Sequence, residues 1–148
     1  MLVTIYTDAS FDPDTGQSAG AAWIKSNKGT LRLCKEYEAT SSTHAEVIIA
    51  HRAIVKSVKE WPKTLTVFVN TDSLNLCHMM WPFHSARPKS APIVKEVRAL
   101  TRFCEKRGIS TRFKHVRAHQ DPSNDVRSFL NSWCDRHANI TRIKNKEE

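Results

Sequence analysis

The stretch Thr64-Leu-Thr-Val-Phe-Val-Asn-Thr-Asp72 decides the fold class of this chain. It is rich in β-formers and nearly continuously apolar, which is typical of a parallel strand that is buried on both faces. A helix is predicted before it, because Val47, Ala50 and Ile54 recur at helical spacing and Trp61-Pro62 ends the pattern. A strand that is reached through a helix requires a crossover connection, and the sequence therefore predicts an α/β fold.

Three strands are predicted upstream of that helix, over residues 2–8, 19–26 and 30–39. Residues 11–18 hold Pro, Asp and Gly and are predicted to form the first turn. Asn27-Lys28-Gly29 is a hairpin signal between the second and third strands. The spacing predicts an antiparallel meander.

Further elements are predicted downstream of the buried strand. In chain order they are a short helix over 73–80, an irregular proline-containing stretch over Trp81–Pro92, a helix over 91–107, a strand over 109–116 and a last helix over 124–143. Gly108 is the predicted C-cap of the helix before it. The order β-β-β-α-β-α-α-β-α predicts one α/β domain over residues 1–148.

The last predicted helix carries two stripes of residues. The stripe expected to pack on the core consists of Val126, Phe129, Trp133, His137 and Ile140. The second stripe consists of Asn131, Asp135, Ala138 and Arg142. We expect the second stripe to lie off the packing centre, where Asp135 can face a cleft.

The net charge of the 148-residue chain is +8, and it is unevenly distributed. Residues 1–84 hold 8 Lys/Arg and 8 Asp/Glu, whereas residues 85–148 hold 15 and 7. A one-sided excess of positive charge favours a polyanionic partner such as nucleic acid, although a solvated helix face has the same composition.

The cysteines and the hydropathy pattern bear on the compartment. The four cysteines, Cys34, Cys77, Cys104 and Cys134, form no C-x-x-C pair, which argues against a zinc site and fits reduced thiols. We see no apolar stretch of roughly 20 residues and no basic segment followed by an apolar one at the N-terminus. We therefore expect a cytoplasmic protein without a membrane partner.

Four acidic residues lie at the ends of predicted strands or on predicted helices: Asp8, Glu46, Asp72 and Asp135. Each has an ordinary explanation, as a turn or cap residue, as the Glu of a Thr43–Glu46 capping box, or as a solvated helix residue. Taken together, strand ends and helix ends in an α/β fold can meet at one edge of the sheet. Carboxylates gathered in this way repel one another, and a hard divalent metal is the usual remedy.

The order of these motifs resembles type 1 ribonuclease H over residues 2 to 142. The matching residues are Thr-Asp8-Ala-Ser after a strand, His-Ala-Glu46 opening a helix, Asn-Thr-Asp72-Ser after a strand, and His119 ahead of Asn131-x-x-x-Asp135-x-x-Ala138. The resemblance implies the ribonuclease H-like fold, a five-stranded mixed sheet whose first three strands are antiparallel, with helices on both faces.

The resemblance also implies the chemistry of a phosphodiester hydrolase. The carboxylates of Asp8, Glu46, Asp72 and Asp135 would hold two Mg²⁺ ions, with Asp8 bridging them and Mn²⁺ as an alternative metal. His119 would assist proton transfer or product release. The cleaved strand would carry 5′-phosphate and 3′-hydroxyl ends.

The substrate implied by the resemblance is the RNA strand of an RNA/DNA hybrid, which would be cut internally. We expect the protein to be a monomer. Several positions depart from the family pattern, including Ala9 for Gly, His44 for Arg and Leu74 for Gln. The expected substrate-binding residues are Ser10, Ser42, Thr43, Ser73, Trp81, Phe83 and Asn131. Candidates for phosphate contacts are Arg87, Lys89, Arg98, Arg102, Lys106, Arg112, Lys114 and Arg117.

Two alternatives stay open at this point. One is a resolvase or another nuclease of the same fold that acts on structured DNA, because a fold does not determine a substrate. The other is a non-catalytic module that binds nucleic acid, for which the presence of all four acids is hard to explain.

Overall fold

The computed structural model describes residues 1–80, 91–116, 134 and 136–138. Its elements are β1 (Leu2–Phe11), β2 (Gln17–Ser26), β3 (Gly29–Glu38), α1 (Ser42–Glu60), β4 (Thr66–Thr71), α2 (Leu74–Met80), α3 (Ala91–Arg107) and β5 (Ser110–His115). Residues 134 and 136–138 are also helical. The predicted order of elements is confirmed over the described part of the chain.

The five strands form one mixed sheet in the order β3-β2-β1-β4-β5. The first three strands are antiparallel, and Ser26 pairs with Gly29 across the two-residue turn of the predicted hairpin. β4 pairs parallel with both β1 and β5. β1 is therefore the central strand, with an antiparallel neighbour on one side and a parallel neighbour on the other.

β1 is longer than its predicted range of 2–8. It runs on through Asp8 to Phe11, which pairs with Ser18 of β2, so the predicted turn over 11–18 shrinks to the residues between these strands. Asp8 and Ser10 have low strand propensity, but pairing with β2 provides hydrogen bonds that local propensity does not register. The prediction that Asp8 ends its strand is therefore wrong.

The main core lies between one face of the sheet and the helices α1 and α3. The predicted apolar stripe of α1 is buried there, with Val47, Ala50 and Ile54 fully covered. The helix α3 contributes Ile93, Leu100 and Cys104 to the same core. Gly108 follows α3 with a positive φ of 65°, as a C-cap glycine does, and this prediction is confirmed.

A smaller cluster covers the opposite face of the sheet. It consists of Tyr6, Ala21, Cys134 and Ala138, which are all buried, and Cys134 and Ala138 lie four residues apart on one helix face. The prediction that Ala138 lies on the stripe away from the core is therefore wrong. The predicted core stripe of this helix was chosen for its large apolar side chains. The small side chains of Cys134 and Ala138 instead let the helix approach Tyr6 and Ala21 closely.

A polar contact also joins α1 to α3. His51 Nδ1 lies 2.9 Å from Glu96 Oε1, with both side chains partly buried. This hydrogen bond lowers the pKa of Glu96 against the opposing effect of burial. Among the helices that the structure describes, none combines the length and hydropathy needed to cross a bilayer.

Candidate functional site

The register of the sheet brings Asp8 level with Asp72. Tyr6 of β1 pairs with Asn70 of β4 in parallel, and the two acids follow this pair by two residues on their own strands. Asp8 is 2% exposed, whereas Asp72 lies just past the end of β4 and is partly buried. The parallel pairing of β1 with β4 ends at Tyr6 and Asn70, so both acids lie just beyond it at the same edge of this strand pair, although β1 itself continues to Phe11.

Glu46 reaches the same edge from α1. The N-cap of this helix is Ser41, whose extended backbone (φ −163°, ψ 169°) lets its hydroxyl accept the N–H of His44 at 3.1 Å. Glu46 is thus the fifth helical residue, and the predicted capping box between Thr43 and Glu46 is wrong. Four hydroxyl residues in a row, from Thr40 to Thr43, made the register of the cap ambiguous in the sequence.

His44 belongs to the same helix start. Its ring Nδ1 accepts a hydrogen bond from the backbone N–H of Thr40, with 3.0 Å between the two nitrogens. Burial lowers the pKa of its imidazole. A neutral ring that accepts a hydrogen bond secures the chain just ahead of the cap. This side chain helps to build the helix start and does not join the acidic cluster.

One backbone amide links two of the acids. The N–H of Ala9 donates to Asp8 Oδ1 at 2.9 Å and to Glu46 Oε1 at 3.2 Å. Oxygens of Asp8, Glu46 and Asp72 all lie within 4.8 Å of one another. The predicted convergence of these three acids is therefore observed.

The donor set suits a hard divalent cation. Three carboxylates provide only oxygen ligands, and two of them are nearly inaccessible to solvent, Asp8 at 2% and Glu46 at 7%. Mg²⁺ and Mn²⁺ prefer such ligands, and Mg²⁺ retains waters at positions that the protein leaves open. Asp8, Glu46 and Asp72 could hold such a metal.

A cleft of about 270 Å³ opens beside the acids. Its lining residues are Ser42, Thr43, Glu46, Asp72, Ser73, Leu74 and Asn75. Three predicted substrate-binding residues, Ser42, Thr43 and Ser73, thus lie at this cleft, whereas Ser10 is not part of the lining. Ser10 lies two residues beyond Asp8 on β1, where it pairs with Ala19.

Asn75 is a cleft residue that sequence reasoning missed. Its Nδ2 lies 3.5 Å from Thr43 Oγ1, so it connects the start of α2 to the start of α1. The only available signal was its position three residues after Asp72 in a helix that begins at the edge of the sheet. An amide there adds both donors and an acceptor to a cleft whose other polar lining groups are hydroxyls and carboxylates.

Tyr37 of β3 was also missed, because a tyrosine in a strand is ordinary. Its hydroxyl donates to the carbonyl oxygen of Ala45 at 2.7 Å, one residue before Glu46. Burial and, next, the nearby Glu46 carboxylate raise the pKa of Tyr37 well above its usual range. The hydroxyl therefore keeps its proton and remains a donor.

Several predicted residues fall outside the described part of the chain. They are His119, Asp135, Asn131, Trp81, Phe83, Arg87, Lys89 and Arg117. Near Asp135 in sequence, Cys134 is buried, and its thiol lies 3.3 Å from the carbonyl oxygen of Tyr6. The described phosphate-contact candidates are all exposed: Arg98, Arg102 and Lys106 on α3, and Arg112 and Lys114 on β5.

Comparison with known proteins defines the class. The sequence model of the RNase H family matches residues 2–142. No curated protein sequence gives a significant match to this chain. The chain belongs to the RNase H family, and it is a ribonuclease of the hydrolase class.

Solved structures share its fold at low sequence identity. LC11-RNase H1 in complex with an RNA/DNA hybrid superimposes with a TM-score of 0.77 at 18% identity, covering 97% of this chain and 98% of that one. The N-terminal RNase H domain of Rv2228c from Mycobacterium tuberculosis gives 0.74 at 15% identity, with 99% and 96% covered. RNase H1 from the archaeon Halobacterium salinarum gives 0.68 at 12% identity, with 95% and 99% covered.

Proposed function

We propose that this protein is a divalent-metal-dependent endonuclease that hydrolyses the RNA strand of RNA/DNA hybrids. The observation that carries the proposal is the meeting of Asp8, Glu46 and Asp72 within 4.8 Å at one edge of the sheet, in a chain of the RNase H family. The similar LC11-RNase H1 was crystallised with such a hybrid, which supports this substrate class.

Asp8, Glu46 and Asp72 would hold the metal, and we propose Asp135 as a fourth ligand. The proposed cofactor is a pair of Mg²⁺ ions, with Mn²⁺ as an alternative. When bound, such a pair supplies an activated water and charge stabilisation for the leaving 3′ oxygen, which leaves 5′-phosphate and 3′-hydroxyl ends. Until a metal binds, the Ala9 N–H offsets part of the repulsion between Asp8 and Glu46.

The cleft supplies the groups that would recognise RNA. Ser42, Thr43 and Ser73 offer hydroxyls, and Asn75 offers an amide, within the same cleft as Glu46 and Asp72. A 2′-hydroxyl both donates and accepts hydrogen bonds, and it is the group that distinguishes RNA from DNA. We propose that these side chains read the ribose of the strand to be cut.

Exposed basic side chains support a polyanionic substrate. Arg98, Arg102 and Lys106 on α3 and Arg112 and Lys114 on β5 all face solvent. Each contact between a basic side chain and a phosphate releases counterions, so binding should weaken as salt is raised.

Cleavage of an end-labelled RNA/DNA hybrid in Mg²⁺ tests the proposal, with single-stranded RNA, duplex RNA and branched DNA as controls. Only the hybrid should be cut, and Asp72→Asn should abolish cleavage while hybrid binding survives, because one ligand of the metal is lost. Asp14→Asn, which alters an exposed turn aspartate outside the acidic cluster, is the matched control and should cut normally.

The outcomes separate the alternatives. Cleavage of branched DNA with the hybrid left intact would replace the proposed substrate by structured DNA. Hybrid binding without cleavage by the wild type in either Mg²⁺ or Mn²⁺ would indicate a non-catalytic binding module.

A further inference from the structure

The Tyr37 hydroxyl forms a hydrogen bond with the first turn of α1. Tyr37 lies on β3, and its hydroxyl reaches the carbonyl oxygen of Ala45 at 2.7 Å across Gly20 of β2. A Cβ atom placed on Gly20 would lie 2.6 Å from the Tyr37 hydroxyl oxygen. The Tyr37 side chain can therefore reach α1 along this path because residue 20 is a glycine.

The same glycine sets how closely α1 approaches the sheet. The Cβ and Cγ1 atoms of Ile49 would each lie 2.6 Å from a Cβ placed on Gly20. Gly20 pairs with Ala9 of β1, whose N–H donates to Glu46. Three contacts on three neighbouring strands therefore define the position of the helix segment that carries Glu46.

The ring of Tyr37 also contacts the side chain of Arg52. The guanidinium carbon of Arg52 lies 5.2 Å from the ring centroid, within the range of a cation–π contact. Arg52 lies two turns after Ala45 on the same helix. The helix thus contacts Tyr37 at its hydroxyl and over its ring, so the orientation of the hydroxyl is strongly defined.

We propose that the Tyr37 hydroxyl is a positioning group that sets the distance of Glu46 from Asp8 and Asp72, and thereby the affinity of the acidic cluster for Mg²⁺. This inference rests on the proposed function, since it assigns a cation to that cluster. Tyr37 touches no reacting atom and acts through the backbone of Ala45. Small displacements of a ligand matter because Mg²⁺ demands near-ideal octahedral geometry at short distances.

Tyr37→Phe tests the proposal, because it removes only the hydroxyl and keeps the ring beneath Arg52. The matched control is Ser57→Ala on the same helix, where the buried Ser57 hydroxyl donates to the Ala53 carbonyl oxygen at the same distance, 2.7 Å. Both variants lose one hydroxyl-to-carbonyl bond of α1, but Ser57 lies three turns beyond Glu46.

Two readouts are needed, calorimetric titration with MgCl₂ alone and hybrid cleavage as a function of Mg²⁺ concentration. Tyr37→Phe should weaken Mg²⁺ binding roughly three- to tenfold, the range expected for one lost hydrogen bond. The Mg²⁺ concentration for half-maximal cleavage should rise by the same factor, while KM for the hybrid at saturating Mg²⁺ stays unchanged. Ser57→Ala should leave all three quantities at their wild-type values.

Equal Mg²⁺ affinities for Tyr37→Phe and Ser57→Ala would overturn the positioning role. A wild-type protein that binds Mg²⁺ but leaves the hybrid uncut would refute the proposed substrate, and the calorimetric comparison of the two variants would still decide the role of Tyr37. A wild-type protein that binds no Mg²⁺ would overturn both proposals.

Discussion

Asp8→Asn should make the metal-free protein more stable, although it destroys the proposed metal site. Asp8 and Glu46 have oxygens within 4.8 Å, and both are almost fully buried. Two unit charges at that distance repel by about 3.5 kcal/mol at an effective dielectric constant near 20. Asparagine has nearly the same shape and keeps an oxygen that can accept the Ala9 N–H, so this hydrogen bond can survive the loss of charge.

We expect the measured gain to be smaller than the Coulomb energy, since solvent screens part of the repulsion between the two carboxylates in the wild type. We expect Asp8→Asn to raise the free energy of unfolding in chelator by about 1–3 kcal/mol, or about 3 °C in Tm per kcal/mol for a chain of this size. Excess Mg²⁺ should reverse the order. A metal at about a thousand times its Kd stabilises the wild type by about 4.1 kcal/mol, which exceeds the expected gain, whereas the variant has lost a ligand.

The assay is urea unfolding followed by circular dichroism, once in chelator and once in excess Mg²⁺. Asp14→Asn is the control, since this aspartate is exposed on a turn, and its free energy of unfolding should change by less than about 0.5 kcal/mol in both media. An Asp8→Asn protein that is less stable than the wild type in chelator would refute the idea that repulsion dominates the empty cluster.

Two further predictions concern packing and pH. Gly20→Ala should cost about 1–3 kcal/mol in urea unfolding, because its Cβ would lie 2.6 Å from the Cβ of Ile49; unchanged stability would show that α1 can shift away at no cost. Glu96→Gln should cost about 1 kcal/mol near neutral pH, where the wild-type carboxylate is bonded to His51. The pKa of Glu96 is lowered in the folded state, so its contribution is complete above the ordinary value of 4.5 and is lost as the pH falls through the folded-state pKa. The gap between wild type and variant should therefore close as the pH falls through the folded-state pKa of Glu96, and a gap that persists in more acidic solution would contradict the role of the ionised carboxylate.

Much of the fold is encoded locally and was predictable. The stripe of Val47, Ala50 and Ile54 identified α1, and the turn signals at Asn27-Lys28-Gly29 and Gly108 identified a hairpin and a helix end. These features depend on neighbours in sequence, where helical periodicity and glycine geometry act directly.

The errors arose where distant residues decide the outcome. β1 continues past Asp8 because β2 pairs with it, and Ala138 is buried because the sheet surface at Tyr6 admits small side chains. The predicted N-cap of α1 was wrong for another reason. Four adjacent hydroxyl residues could each cap the helix, and the backbone conformation selects Ser41. None of these selections can be read from a local pattern.

The candidate site divides in the same way. That Asp8, Glu46 and Asp72 meet was predictable, because strand direction in an α/β sheet determines which ends share an edge. The groups that hold them, the Ala9 N–H and the Tyr37 hydroxyl, were not predictable. A backbone amide has no sequence signature, and Tyr37 acts through a contact that only the docked helix creates.

The position of β1 at the centre of the sheet has a consequence for the order of folding. The β1–β2–β3 meander is built from contacts between neighbours in sequence, which form early, whereas the parallel pairing of β1 with β4 must close a long loop that includes α1. A precursor that has formed only the meander holds Asp8 without Glu46 or Asp72. A divalent cation held by the three acids would therefore stabilise the finished fold and not this precursor, so removal of metal should speed unfolding and leave the rate of folding unchanged.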